Sequence, residues 1–113
     1  MPFIDSKISV KVSDEKKESL KAKLGATMSI LHKSETYLMV GINDGYDLWM
    51  GGNKLEKGAY VSVSLLGNAS PADYEKMTAA ICDIYQDELG IPGTAVYVTY
   101  HPVADWGWNG SNF

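Results

Sequence analysis

The residue whose type and position most directly suggest chemistry is Pro2, which directly follows the initiator Met1. Methionine aminopeptidases generally remove a methionine that precedes a small residue such as proline, and this would turn the Pro2 nitrogen into a free secondary amine. An α-amino group has a pKa of roughly 7.7–8.0, and burial lowers that pKa further because it disfavours the cation. A base with a pKa near neutrality is suited to proton abstraction. The alternative interpretation is that Pro2 only directs removal of Met1.

The rest of the chain offers few other catalytic arrangements. The two histidines, His32 and His101, have no metal-ligand spacing to the single cysteine, Cys82, or to a pair of acids. Motifs such as the nucleophile elbow, the P-loop and the dinucleotide-binding glycine loop do not occur. We therefore expect neither a metal nor a cofactor. A single cysteine also excludes an internal disulfide and a CxxC site.

The charge and hydropathy of the chain exclude several classes of partner. All ten basic residues are lysines, fourteen residues are acidic, and the formal net charge is −4. An acidic chain without arginine lacks the electrostatic footprint of a nucleic-acid-binding protein. No apolar run reaches the roughly 18–20 residues that span a membrane, and the N-terminus lacks the pattern of a signal peptide. We expect a cytoplasmic protein, with leaderless secretion left open.

The alternation and capping signals predict one domain, residues 1–113, made of two similar halves. Period-two alternation predicts strands at 3–10 and 60–65. Ser13 and Ser70, which are 57 positions apart, each precede acidic residues and predict helix N-caps. The apolar stripes of the two helices are Leu20, Leu24, Thr27, Met28 and Leu31 in the first and Met77, Ile81, Ile84 and Tyr85 in the second.

Each predicted helix leads into a second strand. Residues 36–42 match residues 94–100 at a spacing of 58. A strand, a helix and a strand joined by a crossover form a parallel βαβ unit. The predicted fold class is α+β: duplicated β-α-β units at about 2–50 and 59–108 form a four-stranded mixed sheet with two helices on one face. Short edge strands are added, and residues 51–58 are read as the linker.

Two helices cover only one face of such a sheet, so the other face needs a partner. The aromatic and large apolar side chains expected on or beside that face are Tyr37, Met39, Trp49, Tyr97, Trp106, Trp108 and Phe113. A chain of this size would expose them as a large apolar patch. This favours an oligomer that buries the second face. A monomer with a ligand groove there is the alternative, and the two are compatible.

The two ends of the chain and its duplicated pattern resemble one known family. The start Pro2-Phe3-Ile4, the repeated βαβ unit and the ending Trp108-Asn109-Gly110-Ser111-Asn112-Phe113 together resemble the macrophage migration inhibitory factor (MIF) family of the tautomerase superfamily. The resemblance covers essentially the whole chain. It implies a homotrimer whose short edge strands extend a neighbour's sheet, with active sites between subunits. It also implies that Pro2 is the general base after Met1 is removed.

The resemblance further implies a set of residues that bind a small aromatic α-keto acid. They are Lys33, Tyr37, Leu66, Tyr97, Trp106, Trp108 and Phe113, with Phe3 completing the apolar wall. Lys33 is expected to pair with the substrate carboxylate, and Tyr97 to be lent by the adjacent subunit. The alternatives are that Lys33 is an ordinary cation at a helix C-terminus and that the tryptophans only pack an interface.

The implied activity is that of an isomerase, a tautomerase for phenylpyruvate-like and dopachrome-like substrates. The chain departs from the family pattern at four places, one of which is the Gly-Lys-Pro of the family, replaced here by His32-Lys33-Ser34. Residues 58–61 lack the CxxC of the MIF branch, so we expect no thiol-oxidoreductase activity. Trp106 replaces a smaller aliphatic residue and should narrow the pocket, and Thr99 replaces an asparagine. The alternative function is that of a MIF-like cytokine mimic, or protein-binding trimer with vestigial activity, whose partner is a receptor protein.

Overall fold

The computed structural model describes residues 1–113 and contains two α-helices and eight strands. In chain order they are β1 (Pro2–Ile8), α1 (Asp14–Ala26), β2 (Met39–Asn43), β3 (Trp49–Met50), β4 (Asn53–Lys54), β5 (Ala59–Leu66), α2 (Pro71–Leu89), β6 (Val96–Val103), β7 (Gly107–Trp108) and β8 (Ser111–Asn112). Short 3-10 turns lie at Thr27–Leu31, Glu35–Tyr37 and Gly93–Ala95. Neither helix is both long and apolar enough to cross a membrane.

The four long strands form one mixed sheet in the order β2-β1-β5-β6. The outer pairs, β1 with β2 and β5 with β6, are parallel, whereas the central pair β1 with β5 is antiparallel. At the middle of that central pair Asp5 faces Ser62. The two parallel βαβ units therefore meet side by side, and the predicted α+β fold class is confirmed.

Side-chain caps explain where the helices begin. The Ser13 hydroxyl accepts a hydrogen bond of 3.2 Å from the Lys16 N–H, and the Ser70 hydroxyl accepts one of 3.1 Å from the Asp73 N–H. Each bond satisfies one of the free N–H groups of a first helical turn. Both predicted N-caps are confirmed. The second helix ends at Gly90, whose φ of 66° is readily adopted by glycine.

The core lies between the sheet and the two helices. Its fully buried side chains include Ile4, Ile8, Val61 and Val63 from the sheet, and Leu20, Leu24, Met77, Ile81 and Tyr85 from the helices. Tyr85 bears the only hydroxyl among these side chains, and this hydroxyl forms a buried hydrogen bond with the Ser6 hydroxyl. Burial, more than any other cause, raises the pKa of Tyr85 to about 12. The phenol therefore stays neutral at physiological pH.

Several predicted boundaries were wrong because short turns interrupt the expected elements. The first helix ends at Ala26, and its apolar stripe continues through the 3-10 turn at Thr27–Leu31. Strand β2 begins at Met39 rather than at residue 36, because Glu35–Tyr37 forms a turn that Ser34 caps. Residues 51–58 are not only a linker, since β4 pairs with β3. The connecting glycines, Gly51–Gly52, have the positive φ angles that tight hairpin turns require.

Candidate active site

A cavity of about 640 Å³ opens at the N-terminal end of β1. Five of the residues predicted for the site line it, namely Pro2, Phe3, Tyr37, Trp106 and Trp108. Eight of its twelve lining residues are hydrophobic. An apolar cavity with a few polar groups is the usual form of a small-molecule site. The fold therefore gathers residues from both ends of the chain at one point.

Pro2 lies buried at this cavity because it begins a central strand. It pairs with Leu65 of β5, and a proline is tolerated as the first residue of a strand. The terminal amine of Met1 sits beside it. Burial, with a smaller contribution from the positive charge of Lys33, lowers the pKa of that amine from its usual value of 8.0. Both effects disfavour an ammonium ion at this position.

Leu66 connects the chain terminus to Lys33. Its N–H donates a hydrogen bond of 3.0 Å to the carbonyl of Met1. Its own carbonyl accepts a hydrogen bond of 3.0 Å from the Lys33 ammonium. Because that acceptor is a neutral carbonyl rather than a carboxylate, the positive charge of Lys33 remains available to an anion. Neither Lys33 nor Leu66 lines the cavity itself, and Lys33 is linked to the edge of the cavity through Leu66 and the lining residue Met1.

The turn that ends the first helical segment places Lys33. The main-chain N–H of Lys33 donates a hydrogen bond of 3.0 Å to the carbonyl of Met28 and closes the 3-10 turn Thr27–Leu31. Met28 and Leu31 are buried in the core, which holds the turn against the protein. The Lys33 side chain then extends toward the end of β5.

The C-terminal hairpin forms the aromatic wall of the cavity. The ring of Tyr37 lies 5.4 Å from Trp108 in an edge-to-face arrangement, and Phe113 stacks on Trp108 at 5.7 Å. The hairpin folds back at Asn109-Gly110, where both residues have positive φ. The N–H of Phe113 donates to the carbonyl of Trp106, so the last residue is held beside the wall without lining the cavity. The Asn-Gly pair is a strong hairpin signal that the sequence interpretation did not use.

A further predicted site residue, Tyr97, is not brought to the cavity either. It lies at the start of β6 opposite Tyr60, which in turn pairs with Lys7. Lys7 is five residues beyond Pro2 on β1, so Tyr97 lies on the order of 17 Å along the sheet from Pro2. Its side chain is 64% exposed. The expectation that Tyr97 serves a neighbouring subunit's site stays a prediction.

Besides Met1, six lining residues were missed by the sequence interpretation. They are the hydroxyl-bearing Thr36 and Ser64, the apolar Leu38, Met39 and Val103, and Gly107. Ser64 reaches the cavity because it faces Phe3 across the antiparallel central pair. Val103 does so because it pairs with Leu66 across the parallel pair. Only the strand order and register reveal these neighbours, although the alternation of β5 already places Ser64 on the outer sheet face.

A duplicated βαβ sheet with a proline buried at a cavity at the N-terminal end of β1 is the arrangement expected of a protein of the tautomerase superfamily. All of residues 1–113 match the profile of the family described as "Macrophage migration inhibitory factor (MIF)", so the chain belongs to that family. The crystal structure of Leishmania major MIF2 is similar, with 33% sequence identity, a TM-score of 0.93, and 100% of this chain and 97% of that chain covered.

Two further relatives are similar over nearly their whole length. The structure of the MIF homologue from Prochlorococcus marinus has 29% sequence identity, a TM-score of 0.88 and 98% of both chains covered. A macrophage migration inhibitory factor homolog of Trichinella spiralis is 27% identical over 115 residues and covers 100% of both chains. The chain is thus a MIF-like protein of the tautomerase or cytokine type.

Proposed function

We propose that the protein is a keto–enol tautomerase for an aromatic α-keto acid of the phenylpyruvate type, with Pro2 as its general base. The observation that carries this proposal is the burial of Pro2 at an apolar cavity whose edge is marked by an uncompensated lysine. Dopachrome-like compounds are model substrates for the same site. Family membership supports isomerase activity, and the substrate is the new element of the proposal.

The base requires the removal of Met1. With Met1 attached, the Pro2 nitrogen is a tertiary amide and has no basic lone pair. Once Met1 is removed, the nitrogen becomes a secondary amine on a residue that is itself buried. Burial and the charge of Lys33 lower the pKa of the Met1 amine, and we expect the same two causes to lower the pKa of a Pro2 amine, since Pro2 is buried. A neutral amine near pH 7 is suited to proton abstraction.

The substrate carboxylate has two donors close together. Lys33 supplies a charged ammonium, and charge-assisted hydrogen bonds are stronger than neutral ones. Removal of Met1 also takes away the carbonyl that accepts the Leu66 N–H. That main-chain donor then becomes free to bind a carboxylate oxygen. The aromatic ring of the substrate packs against Trp106 and Trp108, on the apolar side of the cavity.

The reaction transfers one proton from carbon to oxygen. Neutral Pro2 takes the proton from the carbon next to the ketone, and the electrons of that C–H bond form the enolate. The oxygen of the enolate then takes a proton from the Pro2 ammonium, which regenerates the neutral base. A Tyr97 lent by a neighbouring subunit would donate a hydrogen bond to the oxyanion or the carboxylate.

We further propose that the protein is a homotrimer with active sites between subunits. The exposed large apolar side chains are Tyr37, Met39, Tyr46, Trp49, Tyr97, Trp108 and Phe113. Three of them, Tyr37, Trp108 and Phe113, are in mutual ring contact, and an exposed apolar patch of this kind marks an interaction site. Assembly would cover the free sheet face and would bring Tyr97 to a cavity that its own chain does not offer it. A small α-keto acid and two further copies of the chain are therefore the proposed partners.

The test compares two preparations of the same protein, one with Met1 removed and one that retains it because the aminopeptidase was inhibited during expression. Intact mass distinguishes them, and native mass spectrometry gives the oligomeric state of each. Keto–enol conversion of phenylpyruvate is followed by ultraviolet absorbance. We expect turnover only from the processed form. Equal turnover by both forms would exclude Pro2 as the base, and no turnover by a processed trimer would favour the protein-binding, cytokine-type alternative.

A further inference from the structure

His32 has a backbone conformation that residues with side chains rarely adopt. Its φ of 57° and ψ of 36° lie in the left-handed region, at the position after a helical segment that glycine usually occupies. Only His32 and Asn109 combine a positive φ with a side chain in this protein. Such a conformation persists where the surrounding structure holds it, and it points to a use for the side chain.

The imidazole of His32 is bonded to the start of α2. Its Nε2 lies 3.2 Å from the carboxylate oxygen Oδ2 of Asp73. A carboxylate accepts but does not donate, so the imidazole nitrogen donates. The Asp73 side chain is only 19% exposed. The main-chain N–H of Asp73 donates a hydrogen bond to the Ser70 hydroxyl. The partner of His32 is therefore a well-anchored group.

The side chains of the adjacent residues His32 and Lys33 thus form hydrogen bonds to neighbouring parts of the fold. Lys33 bonds to the carbonyl of Leu66 at the end of β5, and His32 bonds to Asp73 at the start of α2. The segment between Leu66 and Asp73 joins those two elements. A lysine side chain is long and flexible, so its single bond to a neutral carbonyl does not by itself fix the ammonium. The second bond adds to the main-chain bonds from His32 to Ser29 and from Lys33 to Met28 that hold the backbone from which the lysine extends.

We propose that His32, acting through Asp73, is a positioning residue that holds the Lys33 ammonium at the edge of the cavity and thereby sets the affinity for the substrate carboxylate. The part concerning the substrate rests on the proposed function. The part concerning the placement of Lys33 is independent of it. Neither His32 nor Asp73 lines the cavity.

The first measurement is the rate at which Lys33 is acetylated by a small amine-reactive ester, followed by peptide mass spectrometry. His32→Gly removes the donor and suits the backbone conformation, and Asp73→Ala removes the acceptor. A solvent-exposed hydrogen bond such as that between His32 and Asp73 contributes only modestly to the placement of Lys33. We therefore expect Lys33 to react about 2–5-fold faster in both variants. Asp73→Asn keeps an oxygen that accepts from His32 and should restore the wild-type rate. Asp83→Ala, an exposed change on the same helix, serves as the matched control.

The second measurement separates positioning from a merely structural role. In His32→Gly and Asp73→Ala we expect the KM for phenylpyruvate to rise by about the same 2–5-fold, with kcat unchanged because Pro2 is not affected. His32→Gly should leave the thermal midpoint unchanged or raise it, since glycine relieves the backbone strain. A role confined to stability would instead lower the midpoint and leave KM unchanged.

Two outcomes of the labelling experiment would overturn the inference. One is an unchanged Lys33 reaction rate in both His32→Gly and Asp73→Ala. The other is an Asp73→Asn variant that behaves like Asp73→Ala, because the carboxylate would then not act by accepting from His32. If wild-type protein fails to convert phenylpyruvate, the proposed function fails, and the labelling rates still decide whether His32 positions Lys33.

Discussion

The ammonium of Lys33 donates a hydrogen bond of 3.0 Å to the main-chain carbonyl of Leu66, 33 positions away in the sequence. The N–H of Leu66 bonds in turn to Met1. Leu66, at the end of β5, therefore joins the N-terminal residue to Lys33. This contact brings the Lys33 ammonium close to the N-terminal residue, which lines the cavity.

The first prediction concerns the base. Pro2→Gly keeps a small second residue, so Met1 is still removed, but it replaces the rigid secondary amine by a flexible primary amine. General-base catalysis contributes roughly 10²–10⁴-fold, and we expect kcat/KM for phenylpyruvate to fall by about 100-fold or more. Intact mass and native mass spectrometry provide the controls for processing and assembly. Activity within a few-fold of the wild type would contradict the assignment.

The second prediction concerns the carboxylate. Lys33→Met keeps an unbranched side chain that is one atom shorter and removes its charge. Hydrogen bonds to charged groups contribute about 1.5–3 kcal/mol, so the KM for phenylpyruvate should rise about 10- to 100-fold in steady-state assays. Lys21→Met, which removes an exposed lysine from α1, is the control and should leave KM unchanged. The same KM in both variants would mean that Lys33 does not bind the carboxylate.

The third prediction concerns the aromatic wall. Trp106→Ala should lower kcat/KM for phenylpyruvate about 5–10-fold, because an aromatic pair and its buried area are lost. The same variant should convert pyruvate, which has no ring, as well as the wild type does. The ratio of the two specificity constants is the measurement. An equal loss for both substrates would show that Trp106 shapes the site without contacting the ring.

The fourth prediction concerns the buried hydrogen bond between Ser6 and Tyr85, which joins β1 to α2. Either Ser6→Ala or Tyr85→Phe leaves one hydroxyl buried without a partner, so each should lower the free energy of unfolding by about 1–3 kcal/mol. The double variant removes both hydroxyls. Its loss of unfolding free energy should therefore be smaller than the sum of the losses in the two single variants. Urea unfolding of all four proteins gives the coupling. Strict additivity would contradict a direct bond.

The fifth prediction concerns acid stability through Glu88, which links the two helices. Hydrogen bonds from Lys23, and next from Ser19, lower its pKa from 4.5 to about 2. A folded pKa below the unfolded one stabilises the fold above about pH 4.5, and this contribution disappears as the pH falls through 4.5 toward 2. The stability difference between wild type and Glu88→Gln should therefore shrink over that interval. Glu15→Gln, an exposed change on α1, should show no such trend.

Much of the fold was predictable because its signals are local. Ser13 and Ser70 cap helices through side-chain bonds to N–H groups three residues away, and such bonds depend only on neighbouring residues. The alternation of β1 and β5 likewise predicted which side chains face the core. The strand starts at Met39 and Val96 were missed because short 3-10 turns precede them, and apolar alternation does not distinguish such a turn from the first residues of a strand.

The sequence alone indicated the chemistry that the chain carries: a proline that can become an N-terminal amine, lysines without arginines, and aromatic residues near the C-terminus. Only the tertiary structure decided how these groups meet. The antiparallel register of β1 and β5 brings Leu66 beside Met1, adds Ser64 to the cavity and leaves Tyr97 at the far end of the sheet. Register is set by packing between segments far apart in the chain, so no local pattern of residues contains it.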